Sequence, residues 1–458
     1  MLEKKVNEMK ACFQPGKQIH IVGIGGVSMR ALACVLHDRG IKITGSDINA
    51  TPFTEELEAQ GITVFIGHRA ENIQGACCLI RTAAAHDDNP EIIAARAAGI
   101  PVYERAEAWG VLMRDYQNAI CVAGTHGKTT TTGMITHIFM EAQRDPTVMI
   151  GGYMPLLHAA HRVGKGGDII AESCEYYNSF LSFCPTVAII NNIEAEHLDF
   201  FKDLDEIKAT FRKFAEMVPE TGYLIANGDD ATVVDTLKGL PYRSFGLGEG
   251  NLIHPVNVSP DWKHCTVICD GKKYCDLSIP NYGKFNLTNA IGACAVSWCM
   301  GIDGETAARG IAGYQSVGRR QQLKGHCNGA DVYDDYAHHP SEVKALIEGM
   351  RTMGYKRIVT AYQPFTFSRA ATLFDKFIDA LSTADLLVMC EIHPARETNT
   401  YGISSKDIAA KIPGCVYFDT VPEVAEYLRS VARPGDAILT TGGGPIVKAG
   451  EAICEAEG

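Results

Sequence analysis

Lys128 and Thr129 close the run Gly124-Thr125-His126-Gly127-Lys128-Thr129-Thr130, and residue types in that order suit the grip of a triphosphate. Glycine lets the main chain approach phosphate oxygens closely, so amides from residues 124–130 can converge on them. A following helix adds N–H groups that lack intrahelical acceptors. The lysine supplies a point charge at the β/γ-phosphates and Thr129 a hydroxyl for Mg²⁺. The stricter phosphate-loop spacing asks for glycine at position 122, where this chain has Val122. The shorter Gly-Thr-X-Gly-Lys-Thr form stands, against the plain alternative of a Gly/Thr-rich turn joining a strand to a helix.

Two later stretches carry complementary groups. The apolar run 168–171 ends in Glu172-Ser173-Cys174-Glu175, and the run 186–191 leads into Asn192-Ile193-Glu194-Ala195-Glu196-His197-Leu198-Asp199. Strand ends of an open α/β sheet face its ligand crevice, so a phosphate loop, a carboxylate pair and a histidine among acids would meet there, as metal-assisted phosphoryl transfer requires. Glu172 and His197 are candidate Mg²⁺ ligands beside Thr129. Mg²⁺ prefers oxygen, which makes His197 the unusual member, and a surface turn rich in Glu and His is its plain reading.

The elements that must position these groups follow from apolar periodicity. Residues 18–22 form a strand running into Gly23-Ile24-Gly25-Gly26-Val27-Ser28, with helical spacing over 29–39 and a second strand over 41–45 that ends at Ser46-Asp47. An acid about twenty residues after a glycine turn fits a dinucleotide or diphosphate site, although Ser28 replaces the third glycine. Strands over 62–66, 77–81 and 101–103 and a helix over 90–98 continue the pattern up to a boundary at 106. A helix over 130–142 follows the phosphate loop, and residues 251–279 read as a hairpin-rich insertion. Asn286 and Asn289, one turn apart on an Ala-rich helix reaching residue 300, would bond an adenine edge or merely cap that helix. Residues 316–320 mark a second boundary, before strands over 331–335, 358–362, 386–390 and 437–441. Arg319 sits at that hinge, placed to close onto a phosphate. The expectation is an α/β protein of three domains, 1–106, 107–318 and 319–458.

Composition bounds the rest. A chain of 458 residues with 46% apolar and 21% charged residues is ordinary for a soluble globular protein. Its net charge of −12 argues against nucleic acid as a partner. Sixteen cysteines are scattered through apolar segments without paired metal-ligand spacing, which predicts reduced thiols in a cytoplasmic protein. Residues 1–10 carry charges where a secretory signal would be apolar, and no stretch reads as a membrane span.

Taken in order, Gly-Ile-Gly-Gly at 23–26, Gly-Thr-His-Gly-Lys-Thr-Thr-Thr-Thr at 124–132, Asn-Ile-Glu-Ala-Glu-His-Leu-Asp at 192–199 and Asp-Asp-Tyr-Ala-His-His-Pro at 334–340 resemble the Mur ligases, the ATP-dependent amide-forming enzymes of peptidoglycan precursor synthesis. The likeness is nearly end to end and strongest to members that join L-alanine to UDP-N-acetylmuramate. It implies a Rossmann-like N-terminal domain for the UDP-sugar, a central phosphate-loop ATPase domain with a mixed sheet, and a Rossmann-like C-terminal domain that closes over nucleotide and amino acid. It implies ATP and Mg²⁺, small-molecule substrates, an acyl-phosphate intermediate, and a monomer or homodimer. Gly124 to Thr130 would hold the triphosphate; Thr129, Glu172 and His197 the metal; Asn286 and Asn289 the adenine. Arg319 would pair with phosphate, Asp335, Tyr336, His338 and Arg369 would face ribose, phosphate or amino acid, and Gly25, Gly26, Ser46, Asp47 and His68 the UDP end.

The chain departs from the family pattern at Cys174, where an acid is usual, at Phe285 and Phe365, where histidine is, and at Ala85 and Gly444-Pro445. These leave the phosphate loop, the metal set and the acceptor arginine in place, but keep open a diverged paralogue that adds glycine, serine or a peptide. A nicotinamide dehydrogenase would rest on Gly23 to Gly26 and Asp47 and leave residues 120–132 without a role. A non-catalytic nucleotide-binding regulator is the third reading.

Overall fold

The computed structural model describes residues 2–395 and 397–454, which form two compact units. The first comprises Met1–Asn191, Lys208–Ala226 and Thr232–Arg243; the second comprises Asn192–Ile207, Asn227–Ala231 and Ser244–Gly458.

The first unit opens with five parallel strands in the spatial order Thr63–Ile66, Lys42–Asp47, Gln18–Val22, Cys78–Arg81, Val102–Glu104. Strand order reverses at Gln18–Val22, so a crevice opens at the carboxyl ends of Gln18–Val22 and Cys78–Arg81, beside the glycine turn. Helices begin where the chain supplies caps. Thr51 forms a capping box ahead of Pro52, and Asn89 caps the helix that starts at Pro90. The expected boundary at 106 falls in the first turn of helix Arg105–Met113.

A second sheet in this unit runs Ala159–Arg162, Thr147–Met154, Asp168–Glu172, Asn118–Ala123, Val187–Ile190, Tyr223–Asn227, parallel except for the first pair. Residues 119–123 and 187–190 of its middle strands are apolar and buried, as strands covered on both faces are. The pair Thr147–Met154 and Ala159–Arg162 was not apparent from periodicity. Gly151 interrupts the apolar pattern because a Cβ there would lie 2.8 Å from the Glu172 carboxylate. Gly110 answers a similar constraint: in mid-helix, its Cβ would lie 1.8 Å from the carbonyl oxygen of Ser182. Helix propensity favours alanine over glycine by about 1 kcal/mol. Gly110→Ala is nonetheless expected to lower stability by about 2 kcal/mol through overpacking. Urea unfolding measures it, and an unchanged midpoint would show that the Ser182 segment yields freely.

The second unit contains the antiparallel strands Ile253–Val256, His264–Cys269 and Lys272–Ser278, the hairpin-rich stretch expected from sequence. It also holds a six-stranded sheet in the order Gln322–Cys327, Ala330–Asp335, Asp436–Thr441, Arg357–Tyr362, Leu386–Cys390, Val416–Phe418. Only Gln322–Cys327 is antiparallel, and periodicity had not marked it as a strand. Apolar clusters pack on both faces, one around Ile347, Tyr362 and Phe377, the other around Val359, Val388 and Ile438. The α/β class and the mixed sheet expected from the sequence are therefore present. No helix among the described residues is long and apolar enough to cross a membrane.

Candidate active site

Strand Asn118–Ala123 ends at the phosphate loop, and helix Lys128–Glu141 starts two residues earlier than periodicity suggests. The cause is Gly127, which caps the helix in the left-handed region at φ 78°, while Gly124 sits at φ 141°. Both glycines of the motif thus do conformational work. Lys128 curls back: its ammonium donates to the carbonyls of Gly124 and Thr125 and pairs with Glu175 at 3.1 Å. Burial works against its charge, but Glu175 above all outweighs burial and raises the Lys128 pKa. Thr129 Oγ1 donates to both oxygens of Glu172, at 3.0 and 2.9 Å, and the Gly151 amide donates to Glu172 at 2.8 Å.

This unit therefore brings Lys128, Thr129, Glu172 and Glu175 together at adjoining strand ends. The donors suit Mg²⁺: hydroxyl and carboxylate oxygens are hard ligands, and glycine at 151 keeps side-chain bulk off that carboxylate. Cys174, the departure from the acidic pattern, has its thiol pushed up to about 11 by burial first and then by Glu175, so it stays neutral. Ionic pairing with Lys128 falls to Glu175. Sequence reading had noted Glu175 only as half of a carboxylate pair, because nothing in the spacing tells which acid turns toward the lysine.

At the crevice of the first sheet, Gly26 caps helix Val27–Asp38, and the Gly25 amide donates to Asp47 at 2.9 Å. Ser46 and His68, expected at the UDP end, share a partner that sequence reading missed. Ser46 Oγ donates to Glu91 at 2.5 Å, and His68 Nδ1 lies 3.2 Å from the same oxygen. Asn72 donates to the other Glu91 oxygen at 2.6 Å, and His20 Nε2 stands at 3.5 Å. Burial disfavours the Glu91 carboxylate, but the neighbouring His20 and hydrogen bonds from Ser46 and Asn72 outweigh it and hold its pKa at about 2. A folded-state pKa below the ordinary 4.5 gives stability that is present above 4.5 and lost as pH falls toward 2. Glu91→Ala is expected to cost on the order of 3 kcal/mol, since several buried donors lose their acceptor. It should also flatten the acid limb of stability, as followed by urea unfolding between pH 3 and 7.

In the second unit, Arg319 Nε donates to Asp334 at 2.8 Å and a terminal nitrogen to the Gly442 carbonyl at 2.7 Å, with the guanidinium 5.0 Å from the Tyr336 ring centroid. Its φ of 61° is unusual for a side-chain-bearing residue and marks a held turn. Asp335 is buried and accepts from the amides of Gln321 and Ala337 at 2.7 and 2.8 Å, and burial lifts its pKa to about 6. His338 Nδ1 lies 3.0 Å from the Tyr336 carbonyl, and burial lowers its pKa to about 4.

Arg369 pairs through Nε and a terminal nitrogen with Glu196 and donates to the Phe365 carbonyl at 2.9 Å. Burial opposes the Glu196 carboxylate, but Arg369 outweighs it and holds its pKa at about 2. Ser341 donates to Glu194 at 2.5 Å, and buried His339 lies 3.6 Å from the same acid. The acids Glu194 and Glu196 were visible as a Glu-Ala-Glu run but unassigned; their partners lie some 150 residues on in chain order, beyond the reach of local pattern. His197 shows φ 55°, and its carbonyl accepts from the amides of Phe200 and Phe201. Phe365 stacks on His393 at 5.6 Å where the family pattern has histidine.

Asn286 is buried but does not cap its helix. Gly283 occupies the cap of Lys284–Cys299, and Asn286 Nδ2 reaches back to the Tyr282 carbonyl at 2.8 Å and Gln321 at 3.2 Å. Asn289, buried one turn later, lies inside the helix as well, so capping is excluded for both.

Three family models match successive parts of the chain: the Mur ligase family catalytic domain at residues 18–117, the Mur ligase middle domain at 122–297 and the Mur ligase glutamate ligase domain at 318–444. A UDP-N-acetylmuramate–L-alanine ligase of Agathobacter rectalis is 42% identical, over 96% of this chain and 98% of its own. The crystal structure of a UDP-N-acetylmuramate-alanine ligase from Thermotoga maritima aligns with TM-score 0.79 and 27% identity, covering 95% of this chain and 98% of its own. A murein peptide ligase from Psychrobacter arcticus shares the fold, with TM-score 0.70 and 24% identity over 96% of this chain and all of its own.

Proposed function

Because the chain belongs to the Mur ligase family, we infer that it joins L-alanine to the lactyl carboxylate of UDP-N-acetylmuramate, with ATP cleaved to ADP and phosphate, in peptidoglycan precursor synthesis. The observation that carries this reading is the clustering of Lys128, Thr129, Glu172 and Glu175 around a loop opened by two glycines. The near full-length relatives supply the choice of substrates.

A carboxylate is a poor electrophile, so its oxygen must first become a leaving group. The lactyl oxygen attacks the γ-phosphorus, ADP departs, and an acyl phosphate forms; the amine of L-alanine then adds to the carbonyl carbon, and phosphate leaves the tetrahedral intermediate. Lys128 trades its contacts with Glu175 and the loop carbonyls for the β/γ-phosphates, and residues 124–130 orient the chain of phosphates for in-line transfer. Thr129, Glu172 and His197 would hold Mg²⁺, which when bound neutralises charge building on the phosphates. Arg319, braced by Asp334, offers a guanidinium to phosphate. His338 donates from Nδ1 to the Tyr336 carbonyl, stays neutral above about pH 4, and so keeps Nε2 as an acceptor on the amino-acid side with Tyr336 and Arg369.

Asn286 and Asn289 are assigned to adenine, Asp335 to ribose, and Gly25, Gly26, Ser46, Asp47 and His68 to the UDP-sugar. The division into 1–106, 107–318 and 319–458 is part of the same proposal; the family matches break at 117–122, past residue 106, and at 297–318, where the last match begins at 318. A cytoplasmic setting and a monomeric or homodimeric state complete it.

The test is release of ADP and phosphate from ATP with UDP-N-acetylmuramate and each amino acid in turn. Turnover that requires L-alanine is expected. Dependence on glycine, serine or a peptide would replace this reading with that of a diverged paralogue, and absence of any ligation would remove it.

A further inference from the structure

We propose that Cys12, Cys77 and Cys78 form a binding site for a thiophilic d¹⁰ cation, Zn²⁺ or Cu⁺, at the end of the first sheet opposite its ligand crevice. Their sulfurs lie within 4.8 Å of one another. Cys12 ends helix Leu2–Cys12, and Cys78 opens strand Cys78–Arg81, so the cluster ties the first helix to the sheet. Two contacts fix the approach: Cys12 Sγ lies 3.6 Å from the Cys77 carbonyl, and Cys77 Sγ 4.0 Å from that of Cys12. All three thiols are free. Sulfurs bound to one metal at about 2.3 Å stand roughly 3.8 Å apart in a tetrahedral site, about 1 Å inside that limit.

A second, independent observation points to the same place. Tyr103 is 2% exposed, and its hydroxyl has no hydrogen-bond partner. Leaving a buried hydroxyl unsatisfied is costly. Parallel register sets Tyr103 beside Ile80, and Cys78 lies two residues before Ile80, so the phenol and the Cys78 thiol stand on one face of the sheet. A metal-bound thiolate would accept the Tyr103 proton in a hydrogen bond and remove that cost. Sulfur-only donors select soft cations over Mg²⁺ or Ca²⁺. Cys12 and Cys78 are buried while Cys77 is partly exposed, which leaves an entry path on the Cys77 side, from which a water would complete the coordination of Zn²⁺. The site is separate from the residues assigned to ligation and does not rest on that assignment.

The test uses the full chain, reduced, stripped of metal and kept anaerobic, titrated with Zn²⁺ alone and with Cu⁺ alone. One equivalent should bind, with X-ray absorption showing sulfur at about 2.3 Å. Three sulfurs and one oxygen would identify the Zn²⁺ form, and three sulfurs alone the Cu⁺ form. Cys12→Ser and Cys77→Ser should each weaken binding by about 10²-fold, and should abolish the rise in Tm that the metal gives the parent chain. Amino-acid-dependent phosphate release serves as a separate readout and is expected to persist in both variants. Binding weaker than about 10 μM, binding undiminished in both variants, or a Cys12–Cys77 disulfide in protein purified without reductant would each overturn the proposal.

Discussion

Lys128→Ala is expected to lower amino-acid-dependent phosphate release by on the order of 10³-fold, since it removes the charge placed to meet the transferring phosphoryl group. The same change also takes the ammonium partner from Glu175, which is buried. Breaking a buried pair from one side destabilises by about 3–5 kcal/mol, so loss of activity alone would not distinguish chemistry from unfolding. Lys128→Ala combined with Glu175→Gln separates the two: stability should largely return while turnover does not. Calorimetry and phosphate release on the same preparations measure both. Should Lys128→Ala keep a tenth of parental turnover, the phosphate-loop assignment is wrong.

Glu196→Ala is expected to give the largest stability loss in the second unit, about 3 kcal/mol, because it takes the carboxylate partner from the Arg369 guanidinium, whose side chain is only 12% exposed. Replacing both partners, as Glu196→Ala with Arg369→Met, should recover most of that loss, and the double-mutant cycle read by urea unfolding gives the coupling directly. Protonation imitates the single substitution. The folded-state pKa of Glu196 is about 2 against an ordinary 4.5, so its contribution is complete at neutral pH and disappears as pH falls from about 4.5 toward 2. Alanine-dependent turnover should fail in the double variant, which lacks the guanidinium, if Arg369 faces the incoming amino acid. Normal turnover in the stable double variant would exclude Arg369 from that site.

The phosphate loop was legible because its chemistry is local: two glycines, a lysine and a threonine sit within six residues, and the structure keeps them adjacent. The parallel sheets were legible for a related reason, as strands covered on both faces read as unbroken apolar runs. Strand Gln322–Cys327 escaped notice because its polar, partly exposed residues give neither signal. Partners distant in the chain were also out of reach. Nothing within residues 46–68 announces that Ser46 and His68 converge on Glu91, and nothing in 192–199 names Arg369 as the counter-ion of Glu196. Left-handed backbone at His197 and Arg319 was hidden too, since only glycine advertises such turns in a sequence.

One feature of the resting loop bears on selectivity among anions. With its ammonium already seated on two carbonyls and a carboxylate, Lys128 acts as a stopper in its own receptacle. A visiting anion must outcompete all three to draw it out. Sulfate or inorganic phosphate offers little more than the carboxylate it displaces, whereas a nucleotide brings several phosphoryl oxygens and the grip of its base. If the loop holds the triphosphate as proposed, it is thereby expected to admit polyphosphates in preference to the small oxyanions that crowd around it.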